Sequence, residues 1–313
     1  MKILELENVT KIFTTSQGKK LIACNNISLS LEKGKTLGIV GESGCGKSTL
    51  IRMIMQLETI TSGCIKYNGQ DISKFTKEEI WKNRQKIQMV FQDSLGAFNP
   101  KMKIIDIITE PLINFGLLNK KDKKAKAEEL LKSVDLPLSC LYSYPHSVSG
   151  GQLQRVSIAR ALSLEPEILI CDEATSALDV SVQKNIMTLL DKLRKEKKLT
   201  VIFVCHDLAL VQSFADDIIV MYLGNMMEYL SNRDIVNNSY HPYTKALLAS
   251  VFSVNDMDKK LELLEGEIPS PSNIPKGCPF VNRCKRAVEI CYKEQPILKK
   301  FENNHYIKCH TYN

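Results

Sequence analysis

The sequence predicts an α/β protein: a mostly parallel, helix-covered sheet around a phosphate-binding loop, followed by a short cysteine-bearing C-terminal extension. Three observations carry this reading. The apolar run Leu37 to Val40 leads into Gly41-Glu42-Ser43-Gly44-Cys45-Gly46-Lys47-Ser48, which fits G-x-x-x-x-G-K-[ST]. Thr49 to Leu57 then continues as a mostly apolar helix, so strand, loop and helix come in the required order. Farther along, strand and helix signals alternate. Ile168 to Cys171 is a buried-strand run, Val182, Ile186, Leu189, Leu190 and Leu193 make a helical stripe, and Thr200 to Cys205 is another apolar strand. Such alternation argues a parallel sheet with its ligand at the carboxyl ends of the strands. Finally, 313 residues, 44% of them hydrophobic and 25% charged, can bury one large core with an appendage.

Taken in order, Ile3 to Tyr67 has short β-branched runs punctuated by Gly18, Gly34 and Gly63, and reads as strands around the loop. Between about Gly96 and Ser147 the pattern turns polar and helical, clearest over Lys123 to Val134, as a helical insert. Beyond about residue 235 the composition shifts, and Pro269, Pro271 and Pro275 with Gly266 and Gly277 mark a stiff linker into the tail. The expected division is a main domain over 1–235, its helical part about 96–165, and an extension over 236–313. No internal repeat is visible.

The net charge of +7 is modest, and its densest run, Lys120, Lys121, Lys123, Lys124 and Lys126 beside Glu128 and Glu129, reads as a solvated helix face rather than a nucleic-acid or lipid surface. No apolar stretch approaches the roughly 18 residues needed to cross a bilayer, and Met1-Lys2-Ile3-Leu4-Glu5 lacks signal-peptide character. The expected compartment is therefore the cytoplasm, where the ten cysteines would be reduced, buried or metal-bound.

Three segments carry chemistry. In the loop, glycines let backbone N–H groups turn inward toward phosphate, the helix that follows adds the positive end of its dipole, Lys47 reaches the outer phosphates and Ser48 can ligate magnesium. Ile168-Leu169-Ile170-Cys171-Asp172-Glu173, about 130 residues on, ends an apolar strand in two carboxylates: Asp172 can hold magnesium through water, and Glu173 can polarise an attacking water. In Ser149-Gly150-Gly151-Gln152 a serine N-cap and two glycines open a helix from about Gln152 to Ser163, a second anion-binding helix start.

With these residues in place the sequence closely resembles the ATP-binding cassette family. The usual signature, Leu-Ser-Gly-Gly-Gln, has Val148 in its first place here. The resemblance implies a cassette with an antiparallel N-terminal β-subdomain and a helical subdomain. It implies ATP and Mg²⁺ held by Gly41, Ser43, Gly44, Cys45, Gly46, Lys47, Ser48 and Thr49, with Ser48, Gln92 and Asp172 toward the metal. It further implies that Ser149, Gly150, Gly151 and Gln152 act in trans on ATP of the opposite subunit, that Asp179 in Ser176-Ala177-Leu178-Asp179 communicates between the two sites, and that His206 is the switch histidine. Gln92 would sense the γ-phosphate and couple to the membrane partner. Phe13 would stack on adenine, or simply belong to the core. The catalytic set is Glu173, His206, Gln92 and Lys47.

Tyr144-Pro145-His146, Ile87 to Asp93, Asn99-Pro100-Lys101-Met102 and the C-terminal Glu267-Ile268-Pro269-Ser270-Pro271 with Gly277-Cys278-Pro279-Phe280 and Arg283-Cys284 resemble the ATPase subunits of dipeptide and oligopeptide importers, nearest the F-type subunit. That branch implies peptide import, with a second ATPase as heterodimer partner, two permeases and an extracellular solute-binding protein, at the cytoplasmic face of the membrane and without nucleic acid. A nickel or metallophore importer of the same branch is the alternative. A non-transport cassette of DNA repair or the ribosome is less in keeping with a single cassette lacking a long coiled coil. In the tail, Cys278, Cys284, Cys291 and Cys309 are separated by five, six and seventeen residues. Such gaps suit zinc poorly, and relatives imply a 4Fe-4S cluster; zinc with His305 or His310, or free thiols, remain open.

Overall fold

A computed structural model describes residues 1–16, 18–93, 95–174, 179–231, 238–252, 266, 269, 274–302 and 304–312. In chain order its elements begin with β1 (Lys2–Thr14), β2 (Lys20–Glu32), β3 (Thr36–Val40), α1 (Lys47–Ile54), β4 (Ser62–Tyr67) and β5 (Gln70–Asp71). There follow α2 (Lys77–Asn83), β6 (Ile87–Val90), α3 (Ile104–Asn114), α4 (Lys123–Ser133), α5 (Gly150–Leu162), β7 (Ile168–Asp172), α6 (Val180–Lys197) and β8 (Thr200–Cys205). The rest is α7 (Leu208–Phe214), β9 (Asp217–Tyr222), β10 (Asn225–Leu230), α8 (Pro242–Phe252), α9 (Glu289–Lys293), β11 (Lys299–Glu302) and β12 (His305–Ile307). No helix of the described residues is long and apolar enough to cross a membrane. The chain divides into two compact units, 1–75 with 203–313, and 76–202.

In the first unit, β1 buries Ile3, Leu4, Leu6 and Val9 and pairs antiparallel with β2 and β4, giving a four-stranded sheet in the order β2-β1-β4-β5. This is the antiparallel N-terminal sheet expected. A second sheet centres on β3, whose five residues are all buried and which runs parallel to β9, Leu37 opposite Asp217 and Val40 opposite Val220. Burial on both faces explains the unbroken Thr36-Leu37-Gly38-Ile39-Val40 run. β9 turns back into β10 through Leu223 and Gly224, both at positive φ, the geometry of a tight hairpin turn. β12 then pairs with β10 and β11 with β12, so the tail contributes two antiparallel strands to the order β11-β12-β10-β9-β3.

In the second unit β6 and β7 run parallel, Ile87 opposite Ile168 and Val90 opposite Cys171. The helical insert holds α3, α4 and α5, whose apolar faces bury Ile104, Ile108, Leu131, Val156 and Ala159. The lysine run lies largely on α4, paired with acids one helical turn away or nearby: Lys126 with Glu129 at 2.9 Å, Lys124 with Glu128, and Lys123 with Asp106. It is a solvated helix face, and pairs of this kind stabilise a helix by only a few tenths of a kcal/mol each, about 0.2–0.5.

Candidate functional site

In the first unit the phosphate loop curls between β3 and α1. Gly41 has φ +151, and a Cβ there would stand 2.2 Å from the Met221 carbonyl oxygen; Gly46, the N-cap of α1 at φ +106, would meet the Ala23 carbonyl oxygen at 2.2 Å. No side chain could occupy either place without moving backbone, which is the local reason for glycine. Cys45 and Lys47 point inward, while Ser43, Gly44 and Ser48 are exposed. Gly46 supplies no side-chain cap, so the first turn of α1 presents its backbone N–H groups as an anion-binding end. Lys47 is 5% exposed, and its Nζ donates to the carbonyls of Gly41 (2.7 Å) and Glu42 (3.1 Å). The β9–β10 turn supports the loop from below, Gly224 N–H donating to the Cys45 carbonyl at 2.9 Å.

His206 is exposed just beyond β8, and Asp207 Oδ1 accepts from Leu210 N–H at the start of α7. Phe13 is half-buried on β1 opposite Leu21, with Lys11 Nζ 4.7 Å from its ring centroid.

In the second unit, Gln92 is exposed after β6, where Asp93 Oδ1 accepts from Gly96 N–H at 2.8 Å and shapes the loop. Asp172 ends β7, half-buried, and Glu173 follows with φ +45, left-handed backbone that a glutamate adopts at a cost of about 1 kcal/mol. Strained backbone of this kind gathers at functional sites. Cys171 is fully buried, its thiol pushed up to about 12 by burial, consistent with the small buried thiol expected.

Ser149 caps α5. Its hydroxyl accepts from Gln152 N–H at 3.3 Å, and Gln152 Oε1 accepts from Ser149 N–H at 2.9 Å, a reciprocal capping box. Ser149 and Gly150 are exposed, so this helix start opens to solvent. A Cβ on Gly151 would lie 2.7 Å from Val182 Cγ1 of α6. Asp179 is exposed at the N-terminus of α6; Ser176, Ala177 and Leu178 lie outside the described residues, as do Glu267, Ile268, Ser270 and Pro271 of the linker.

Among the described residues no group of ligands supports the metal staple expected of the tail. All four of its cysteines are free, and among the described residues no three Cys, His, Asp or Glu side chains form a group that could hold a metal. Cys278 N–H donates to the Cys291 carbonyl at 2.7 Å, joining these segments through main chain. The thiols are still within electrostatic reach: burial pushes Cys278 up to about 12, and Cys291, Cys309 and Cys284 add to the shift. Neither zinc-candidate histidine offers its Nε2. His305 Nε2 meets buried Glu228 Oε1 at 2.8 Å, and His310 Nε2 meets the Glu294 carbonyl at 2.9 Å. The tail is held by the cassette itself. Phe280 packs among Tyr222, Tyr243 and His241, and Arg283 forms a two-pronged ion pair with Glu42 in the phosphate loop. None of these contacts was expected from sequence, where Glu42 occupied a free position of the motif.

A phosphate loop, a capped second helix start and a strand ending in paired carboxylates define the class: an ATP-binding cassette. Residues 24–176 match the family described as ABC transporter, and 227–291 that described as oligopeptide/dipeptide transporter, C-terminal region. The chain is 44% identical to the oligopeptide transport ATP-binding protein AppF of Bacillus subtilis, over 99% of this chain and 97% of that one. It is also 44% identical to the dipeptide transport ATP-binding protein DppF of Escherichia coli, over 89% and 84% of the respective chains. The dimeric bacterial ABC transporter cassette MJ0796 superposes with a TM-score of 0.67 at 32% identity, over 73% of this chain and 98% of that one. The chain belongs to the ABC transporter family, in its oligopeptide/dipeptide branch, and its activity is ATP hydrolysis.

Proposed function

We propose that this chain is the ATPase subunit that powers import of di- or oligopeptides. The observation that carries the reading is the C-terminal region match over 227–291 joined to a cassette whose phosphate loop and signature helix are both well formed. Its partners on this reading are a second cassette ATPase in a heterodimer, two permeases that hold it at the cytoplasmic face of the membrane, and, through them, an extracellular solute-binding protein. The main domain would span 1–235 and the extension 236–313.

In this mechanism the loop N–H groups of one subunit bind the ATP phosphates, and the exposed α5 start, with Ser149 and Gly151, completes the site of the opposite subunit. The hydroxyl of Ser48, the carboxylate of Asp172 and the amide oxygen of Gln92 are each hard oxygen donors of the kind magnesium takes, and they are the residues that would hold an ion whose charge would offset that of the phosphates. Lys47 leaves its loop carbonyls for the outer phosphates. Glu173 orients the attacking water, and His206 and Gln92 stabilise charge on the transferred group. Asp179 links the two sites, and Phe13 supports adenine. The four tail thiols are the candidate ligands of a 4Fe-4S cluster; their number and the electrostatic influence of Cys284, Cys291 and Cys309 on Cys278 support the reading, and iron and sulfide analysis of anaerobically purified protein tests it.

The test is genetic and biochemical. Deleting the gene should abolish uptake of labelled di- and oligopeptides while sparing nickel uptake, and the wild-type chain should restore it and co-purify with two permeases. Loss of nickel uptake with peptide uptake intact would overturn the cargo class.

A further inference from the structure

The phosphate loop carries its own negative charge. Glu42 is the first variable residue of the motif, and a carboxylate there stands beside the site of a triphosphate. Left unpaired, it would repel the ligand through a poorly screened, partly buried path. The chain answers this from far away in sequence. Arg283 of the tail, its side chain 4% exposed, donates through Nη1 to Glu42 Oε2 at 2.7 Å and through Nη2 to Oε1 at 3.0 Å. The parallel fork is the strongest form of carboxylate recognition by arginine. The guanidinium is itself seated: it lies 5.8 Å from the Tyr222 ring centroid, and Nη1 is 3.5 Å from Tyr222 Oη. The Glu42 backbone is held as well, its N–H donating to Tyr243 Oη at 3.0 Å and its carbonyl accepting from Lys47. Side chain, N–H and carbonyl of one loop residue are thus each fixed by a different element, and two of those elements lie C-terminal to residue 240.

We propose that Arg283 is a positioning residue for ATP binding: it neutralises Glu42 and draws that carboxylate away from the nucleotide, so that the loop meets the triphosphate with its N–H groups and Lys47 alone. The inference rests on reading Gly41 to Ser48 as the ATP cradle. Because Arg283 acts on the loop only through Glu42, removing Glu42 must relieve the damage done by removing Arg283. A purely structural role for the tail arginine has no such consequence.

The experiment is equilibrium binding of a fluorescent ATP analogue, with Mg²⁺, to the full chain. Arg283→Gln is expected to weaken binding by about tenfold, the effect of one uncompensated charge near the phosphates. Glu42→Gln should bind up to about fivefold more tightly than wild type, since it leaves the Arg283 cation in place with less to neutralise. The double variant Glu42→Gln/Arg283→Gln should recover most of the loss, and Arg283→Lys, which keeps the charge without the fork, should fall between. Arg283→Gln binding like wild type, or a double variant as weak as Arg283→Gln, would overturn the inference. Should Arg283→Gln fail to fold, Glu42→Gln decides, because weaker binding by that variant contradicts the proposal. Wild-type protein that binds no ATP would instead overturn the cradle reading and this inference with it; normal wild-type binding with an indifferent Arg283→Gln overturns the inference alone.

Discussion

Acidification should loosen the region that joins tail and phosphate loop, and His241 supplies the cause. The residue is 1% exposed and sits just before α8, where Nδ1 accepts from Tyr243 N–H at 3.0 Å. The proton of the neutral ring is therefore on Nε2, and a second proton could go on Nδ1 only by breaking the helix cap. Burial lowers its pKa from 6.5 to about 4, against an upward pull from Glu228. A base whose folded pKa is depressed contributes stability that is complete above its unfolded value and is lost as pH falls. The loss starts near pH 6.5 and continues toward 4, at about 1.4 kcal/mol per pH unit. Between pH 6.5 and 5 that amounts to about 2 kcal/mol, or roughly 4–8 °C in melting temperature at 2–4 °C per kcal/mol. Glu228 does not blur this window. Burial raises its pKa, but the bonds from His305 and its other partners win and leave it below 4.5, so its own contribution fails only below that value. The measurement is thermal melting of the full chain at pH 7, 6 and 5, beside His241→Asn, which can keep the cap without titrating. A wild-type melting temperature that is flat over this range, or an equal slope in His241→Asn, refutes the reasoning.

Other outcomes follow from the site. Lys47→Ala should abolish ATP hydrolysis, whereas Glu173→Gln should bind ATP normally and turn over at least about a hundredfold more slowly, as loss of a water-orienting carboxylate demands; unchanged turnover would remove Glu173 from that role. Ser149→Arg places a bulky cation on an exposed helix start, and in a reconstituted heterodimer it should damage hydrolysis at the partner's phosphate loop, a result contradicted by loss confined to this chain's own loop. Phe280→Ala empties a site only 2% exposed among Tyr222, Tyr243 and His241, and should cost about 3–5 kcal/mol, read as early proteolysis of the tail in a time course against wild type.

The sequence announces features whose cause is local. The phosphate loop is legible because glycine alone fits beside the Met221 and Ala23 carbonyls, and those constraints leave a fixed spacing in the chain. The α5 start is legible because a serine N-cap is a local device, and α4, expected over Lys123 to Val134, is observed over Lys123–Ser133. The tail is different. Its strands β11 and β12 are only four and three residues long, and their hairpin joins the sheet only where β12 meets β10, far back in sequence, so no periodicity within the tail reveals them. Four thiols in a short segment point by composition to a metal, while the contacts that hold the segment come from an aromatic cluster, strand addition and one arginine. Arg283 and Glu42 are 241 residues apart. A motif pattern treats Glu42 as any residue, since the pattern records only what phosphate requires of the loop. What the rest of the molecule requires of the loop falls on the positions the pattern leaves open, and in this chain the first of them is where tail and nucleotide site meet.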